Sequence, residues 1–170
     1  MYGALITKYL ALVNAGHDVL PPISLILSEE PGANGAEAAA ADETAHDTLS
    51  RICAEELGHF HMLCDSMQRM GGDPTAQTPC ADVTAAASMG LMQVITDPRT
   101  TLAQCLNTIL TAELTDNAGW ELLSELAEEA GQDEMVEQFS LALEAEQQHL
   151  IVIRGWLKTL LMNEAGTPAV

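Results

Sequence analysis

The segment LSRICAEELGHFHMLCDSMQRMGG, residues 49–72, decides how this chain is read. Leu49, Ile52/Cys53, Glu56, His59/Phe60, Leu63, Met67 and Met70 recur at steps of three and four, the spacing of one α-helical face. Only Glu56 and His59 interrupt that stripe with strongly polar groups. Three residues make nearly one turn, so these two side chains project side by side. A carboxylate and an imidazole held in this way form half of a metal site. Left alone in an apolar stripe, an ionised carboxylate is costly to bury, and it must be paired, metal-bound or protonated.

Working outward, the same interruption recurs twice. In Val136, Phe139, Leu143, Glu146, Leu150, Ile153, Leu157 and Leu160 every member is apolar except Glu146, which starts a second Glu-x-x-His, Glu146/His149. In Leu102, Leu106, Ile109, Glu113, Asp116, Trp120, Leu123 and Ala127 the carboxylates are Glu113 and Asp116. One Glu-x-x-His alone is not diagnostic, since Glu43/His46 matches by chance in the same predicted helix. Three apolar stripes, each interrupted by a carboxylate near its middle, are hard to attribute to solvated surface charge.

The periodicity predicts four long helices over about 3–27, 36–70, 98–130 and 133–163, with a crossover over 71–97. Pro21-Pro22 interrupts the first, Asn34/Glu37 caps the second, and Gly71-Gly72-Asp73-Pro74 stops it. Asp97-Pro98 is expected to open the third helix, Gly131 to close it, and Asp133 to cap the fourth. A short helix over 83–95 is expected within the crossover. The fold class is therefore all-α, one domain of two antiparallel helical hairpins joined by a long crossover. Asn14-Ala-Gly-His17 resembles Asn117-Ala-Gly-Trp120, which suggests that the hairpins are repeats.

The totals bound the function. A formal charge of −19 over 170 residues argues against nucleic acid or an anionic membrane as partner. No stretch approaches the ~18 apolar residues of a membrane span, the N-terminus is a poor signal peptide, and the four cysteines lack C-x-x-C spacing. A reducing cytoplasm is the expectation, with a homodimer or higher homo-oligomer formed through an exposed helical face.

Glu56-Leu-Gly-His59 followed by Met67-x-x-Met70-Gly-Gly-Asp-Pro resembles the second helix of ferritin-like proteins, the superfamily of ferritins, bacterioferritins and rubrerythrins. Glu113 and Glu146-Gln-Gln-His149 are similar to its third and fourth helices, with a Glu-to-Glu spacing of 146 − 113 = 33. The resemblance implies a ferritin-like four-helix bundle with two iron ions, or manganese, held by Glu56, His59, Glu113, Glu146 and His149. It also implies ferroxidase or oxidoreductase chemistry with dioxygen, peroxide or a small organic substrate. Zinc suits the same donors. Leu57 after Glu56 gives no sign of a haem ligand.

One departure stands out. The ferritin-like pattern places a glutamate in the first helix, and no acid precedes Asp18. Folding the first hairpin about residue 33 sets Glu56 opposite Thr7, Lys8, Tyr9 and Leu10, and the repeat match sets Leu10 against Glu113. The extra donor is then Asp116, or His17 or Asp18 after a register shift, or the site is single-metal. His17/Asp18 facing His46/Asp47 would make a displaced site. Tyr9 reads as core and His61 as surface. The competing function is a non-catalytic binding or assembly module that keeps the fold with an incomplete site.

Overall fold

The computed structural model describes residues 1–15, 20, 21, 26 and 43–166. Among them are five helices and no strand: α1 (Tyr2–Asn14), α2 (Ala45–Arg69), α3 (Pro79–Thr96), α4 (Leu102–Glu129) and α5 (Asp133–Glu164). α4 packs along α5, α1 lies against α2 and α4, and α2 touches α5, so α1, α2, α4 and α5 form a bundle. α3 sits outside it, resting on α4 and α1.

Local chemistry sets the helix ends. Thr44 Oγ1 accepts from Asp47 N while the Asp47 carboxylate accepts from Thr44 N, a reciprocal box that starts α2. The second helix thus begins at residue 45 rather than 36, and the Asn34/Glu37 pair lies outside the described residues. Thr101 and Gln104 build the same box for α4. The expected Asp97-Pro98 start is corrected accordingly: Asp97 closes α3, and its carboxylate accepts from the backbone and guanidinium of Arg99. α3 is longer than the expected 83–95, because Thr78 caps it and Pro79 occupies its first turn.

α2 and α4 end alike. Gly71 (φ 80°) and Gly131 (φ 66°) take the left-handed conformation that glycine adopts without strain. Gly72 N then reaches Met67 O at 2.8 Å, and Gln132 N reaches Ala127 O at 2.9 Å. Because that turn makes Gln132 the boundary residue, Asp133 falls inside the first turn of α5 instead of capping it.

α1 stops at Asn14, short of the predicted 27, with Leu20 and Pro21 outside helix. Asn14 therefore ends a helix whereas Asn117 lies in the middle of α4, so the two Asn-Ala-Gly matches do not mark equivalent positions. The main apolar cluster joins Leu5 and Tyr9 of α1 to Leu49, Ile52, Leu106, Ile109, Ile153 and Trp156. A second cluster, around Trp120, Met135, Phe139 and Ala142, fills the other half of the bundle. Lys8 fastens α1 to the α3–α4 turn, donating to Asp97 O at 3.2 Å and to Cys105 Sγ at 3.5 Å. No described helix is long and apolar enough to cross a membrane.

Candidate metal centre

α4 and α5 supply most of the site, and their antiparallel pairing makes it possible. Glu113 and Glu146 face each other across the hairpin, and Asn117 pins them from one turn away. Its Nδ2 donates to Glu113 O at 2.9 Å and to Glu146 O at 3.1 Å. His149, one turn beyond Glu146, is buried to the same degree. α2 brings Glu56 from the opposite side.

Glu56, Glu113, Glu146 and His149 each offer one donor atom, and all four atoms lie within 4.8 Å of one another. His149 Nδ1 is 3.4 Å from Glu56 Oε1, 3.5 Å from Glu146 Oε2 and 3.8 Å from Glu113 Oε2. These same four atoms are buried and have no hydrogen-bond partner among the described residues. Two donors bound to one ion at about 2.1 Å lie roughly 3–4 Å apart, the separation seen from His149. A buried polar atom left unpaired costs about 1–3 kcal/mol, so four converging on one point are a cluster within metal-binding distance.

Glu113, Glu146 and His149 are each held through their other polar atom. Glu113 Oε1 accepts a short hydrogen bond from the Tyr2 hydroxyl. Glu146 Oε1 accepts from Trp120 Nε1 at 3.2 Å and faces His59 Nδ1 at 2.7 Å. His149 Nε2 lies 2.7 Å from Glu55 Oε2. Glu55 is itself gripped by Arg51 Nη1 at 3.0 and 3.2 Å, and Arg51 Nε reaches Glu43 at 3.2 Å. With Nε2 facing Glu55, the ring presents Nδ1 to the cluster.

Electrostatics follow from crowding acids in a dry place. Burial, reinforced by Glu56 and Glu146 against the Tyr2 hydrogen bond, pushes Glu113 up to about 8. Burial also raises Tyr2, as does the Glu113 charge, so its phenol stays a neutral donor. Burial opposes ionisation of Glu146, but the His149 and His59 rings beside it outweigh that and hold the carboxylate at about 2. Burial opposes the His149 imidazolium too; Glu146, Glu56 and Glu55 overcome it and raise the ring to about 10. Burial, then Glu56 and Glu146, lifts Asp116 to about 6. Without a metal, a proton on His149 supplies the positive charge that the cluster needs.

Of the residues singled out in the sequence, Glu56, Glu113, Glu146 and His149 come together. His59 stands beside them, its ring edge-on to Trp120 at 5.4 Å, and turns its Nδ1 to Glu146 rather than into the four-atom group. Asp116 is half-buried near Glu56 and Glu146. His46 is half-exposed at the start of α2, 3.7 Å from Asp47 and outside the cluster. His17 and Asp18 lie outside the described residues. Tyr9 is core, as expected.

Position 7–10 is not the part of α1 that meets the site; Tyr2 is. The register is not the one that folding about residue 33 predicts; the described helices end at Asn14 and begin again at Ala45, and residue 33 lies outside the described residues. The sequence reading missed Glu55, Tyr2, Asn117 and Trp120 as site residues. Tyr2 carried a signal, since it shares the 2, 5, 9 spacing of Leu5 and Tyr9. Glu55 carried none, because it sits one position off the stripe and looks like surface.

Fold and site together define an all-α protein with a buried carboxylate/histidine cluster. No family model matches the chain, and neither a curated protein nor a solved structure matches it.

Proposed function

We infer that the chain is a ferritin-like metalloprotein whose Glu56, Glu113, Glu146 and His149 bind iron or manganese for oxidation chemistry. What carries this reading is one observation: the four buried donor atoms without partners converge from three helices. The donor set of carboxylates and one imidazole suits iron, manganese or zinc. His59 and Asp116 flank Glu146 and Glu56 and give donors for a second ion, as in carboxylate-bridged helical bundles. Iron or manganese bound there supplies electron exchange with dioxygen or peroxide.

The residues themselves do the rest. Glu55 and Arg51 fix the His149 ring, and Asn117 and Trp120 fix Glu146. Tyr2 keeps a proton at its hydroxyl oxygen, against Glu113. The side chains of Glu113, Glu146 and His149 are 1% exposed, whereas Glu56 is 30% exposed. Glu56 thus stands where solvent, a metal ion or a small oxidant enters.

Metal analysis after anaerobic loading tests the reading. Roughly two iron or manganese ions per chain are expected, lost in the Glu56→Ala/Glu146→Ala double variant. One ion per chain would favour the single-metal form of the site. Folded protein that takes up neither metal would overturn the proposal.

A further inference from the structure

The lysine of α1 turns inward. Long lysine side chains usually keep their charged head in water, because burying an ammonium is costly. Lys8 Nζ instead comes within 3.5 Å of Cys105 Sγ on α4, held there by donation to Asp97 O at 3.2 Å. Cys105 is fully buried, and its sulfur lies 4.0 Å from Ile95 O. Cys53 and Cys64 are half-buried and Cys80 is exposed. A small core thiol needs no cation over it, so the pairing of amine nitrogen and sulfur calls for a reading of its own. The pair is also within reach of a small solute. Lys8 and Ile95 line a pocket of about 400 Å³ between α1 and the end of α3, with Thr7, Ala11 and Asp97 among its other walls. Cys105 Sγ stands directly behind that wall, because Lys8 Nζ and Ile95 O, which flank it, belong to lining residues.

The chemistry follows from the two groups. The thiolate is the form that oxidants attack, and the neighbouring ammonium supplies its counter-charge. Attack on a hydroperoxide forms an S–O bond and breaks the O–O bond. The departing oxygen takes a proton from Lys8 and leaves as an alcohol, or as water from hydrogen peroxide. Cys105 is then a sulfenic acid and Lys8 a neutral amine. Sulfenic acids condense with adjacent nucleophiles, nitrogen included. The Lys8 amine attacks the sulfur: an S–N bond forms, the S–O bond breaks, and the hydroxyl leaves with an amine proton as water. In sum the sulfur gives up two electrons, the hydroperoxide accepts them, and the chain loses two hydrogens.

We propose that Lys8 and Cys105 are a peroxide-driven covalent link, Cys105 being the thiol that is oxidised and Lys8 the nucleophile that resolves it. The link ties α1 to α4. Tyr2 and Glu113 already join the same two helices, six residues before Lys8 and eight after Cys105. An oxidised chain thus holds Tyr2 against Glu113 through a covalent bond roughly 9 Å away along α1. The proposal stands apart from the metal reading, because neither residue is a candidate ligand.

The test is peptide mapping of the full chain after graded hydrogen peroxide, with remaining thiols alkylated in urea before trypsin. Trypsin cuts after lysine and arginine, so segment 1–51, uncut at Lys8, should appear joined to segment 100–154. The joined mass should fall below the sum of the two by two hydrogens, and dithiothreitol should release the link. Cys105 is the single cysteine in those segments, so fragmentation has only to place the other end of the bond at Lys8. Lys8→Arg keeps the cation without the amine; it should lose the link and carry Cys105 on to the sulfinic acid. Far-UV circular dichroism checks that variant, and the result on the parent chain stands without it. Cys105 recovered alkylated at peroxide doses that oxidise the exposed Cys80 would overturn the proposal. So would sulfinic Cys105 in the parent with Lys8 still cut by trypsin, or a disulfide from Cys105 to another cysteine.

Discussion

Glu55 Oε2 lies 2.7 Å from His149 Nε2, on the opposite edge of the ring from the cluster. The bond joins α2 to α5 and sets which imidazole nitrogen is free. Outer partners of this kind are worth about 10–100-fold in metal affinity. Glu55→Ala should therefore weaken iron or manganese binding by about that factor. Glu55→Gln, which keeps an acceptor oxygen, should lose much less. Isothermal titration of both variants distinguishes this role from a purely structural one, in which both would bind like the parent.

The metal-free protein should be most stable near pH 5. Glu113 is raised from 4.5 to about 8, so the folded state retains a proton that the unfolded chain gives up, and stability falls between those values. His149 is raised from 6.5 to about 10; its contribution is full below 6.5 and is lost as pH rises through 10. Glu146 is lowered from 4.5 to about 2; its contribution is full above 4.5 and is lost as pH falls through 2. Urea denaturation from pH 3 to pH 9 reads the slope. Stability rising from pH 5 to pH 8 without metal would contradict this account.

Metal should reverse that slope, because binding displaces protons from the same atoms. At a free-metal concentration of 100 times Kd the stabilisation is about 2.7 kcal/mol. Glu113→Gln separates the two effects, since glutamine keeps the shape but cannot ionise. Above pH 8 the metal-free variant should exceed the parent by at least about 1 kcal/mol, yet gain nothing from metal. Thermal melts with and without manganese measure both.

Tyr2→Phe removes the hydroxyl that donates to Glu113 Oε1 while leaving the ring in place. The orphaned oxygen should cost about 1–3 kcal/mol of stability and push the Glu113 pKa higher still. Chemical denaturation gives the first, and carboxyl titration by carbon-detected NMR the second. An unchanged midpoint would show that solvent reaches this oxygen.

The stripes made much of this legible in sequence, but unevenly. On α5, Phe139, Glu146, Ile153 and Leu157 are buried as predicted, while the second buried row is Met135, Ala142, His149, Val152 and Trp156 rather than Val136, Leu143 and Leu150. A stripe of apolar residues names a face, and its neighbours decide the centre of that face to within one residue. On α2 the apolar members of the stripe read as core, yet Phe60, Met67 and Met70 are exposed, while Leu49 and Ile52 are buried in the cluster that holds Leu5 and Tyr9 of α1. Glu55 was illegible for a different reason. Its role depends on where another helix places His149, and no local spacing records that.

Finally, the turn at Gly131 constrains where this protein tolerates added chain. Glu113 and Glu146 face each other only while the spacing of 33 positions (146 − 113) is kept and the φ of 66° at Gly131 keeps its hand. One residue inserted within α5 ahead of Glu146 rotates that carboxylate by about 100° around the helix, away from Glu113. The connection between α2 and α4, which carries α3 on the outside, bears no such phase requirement. Lengthening is thus a neutral change on one side of α4 and a lethal one for the site on the other.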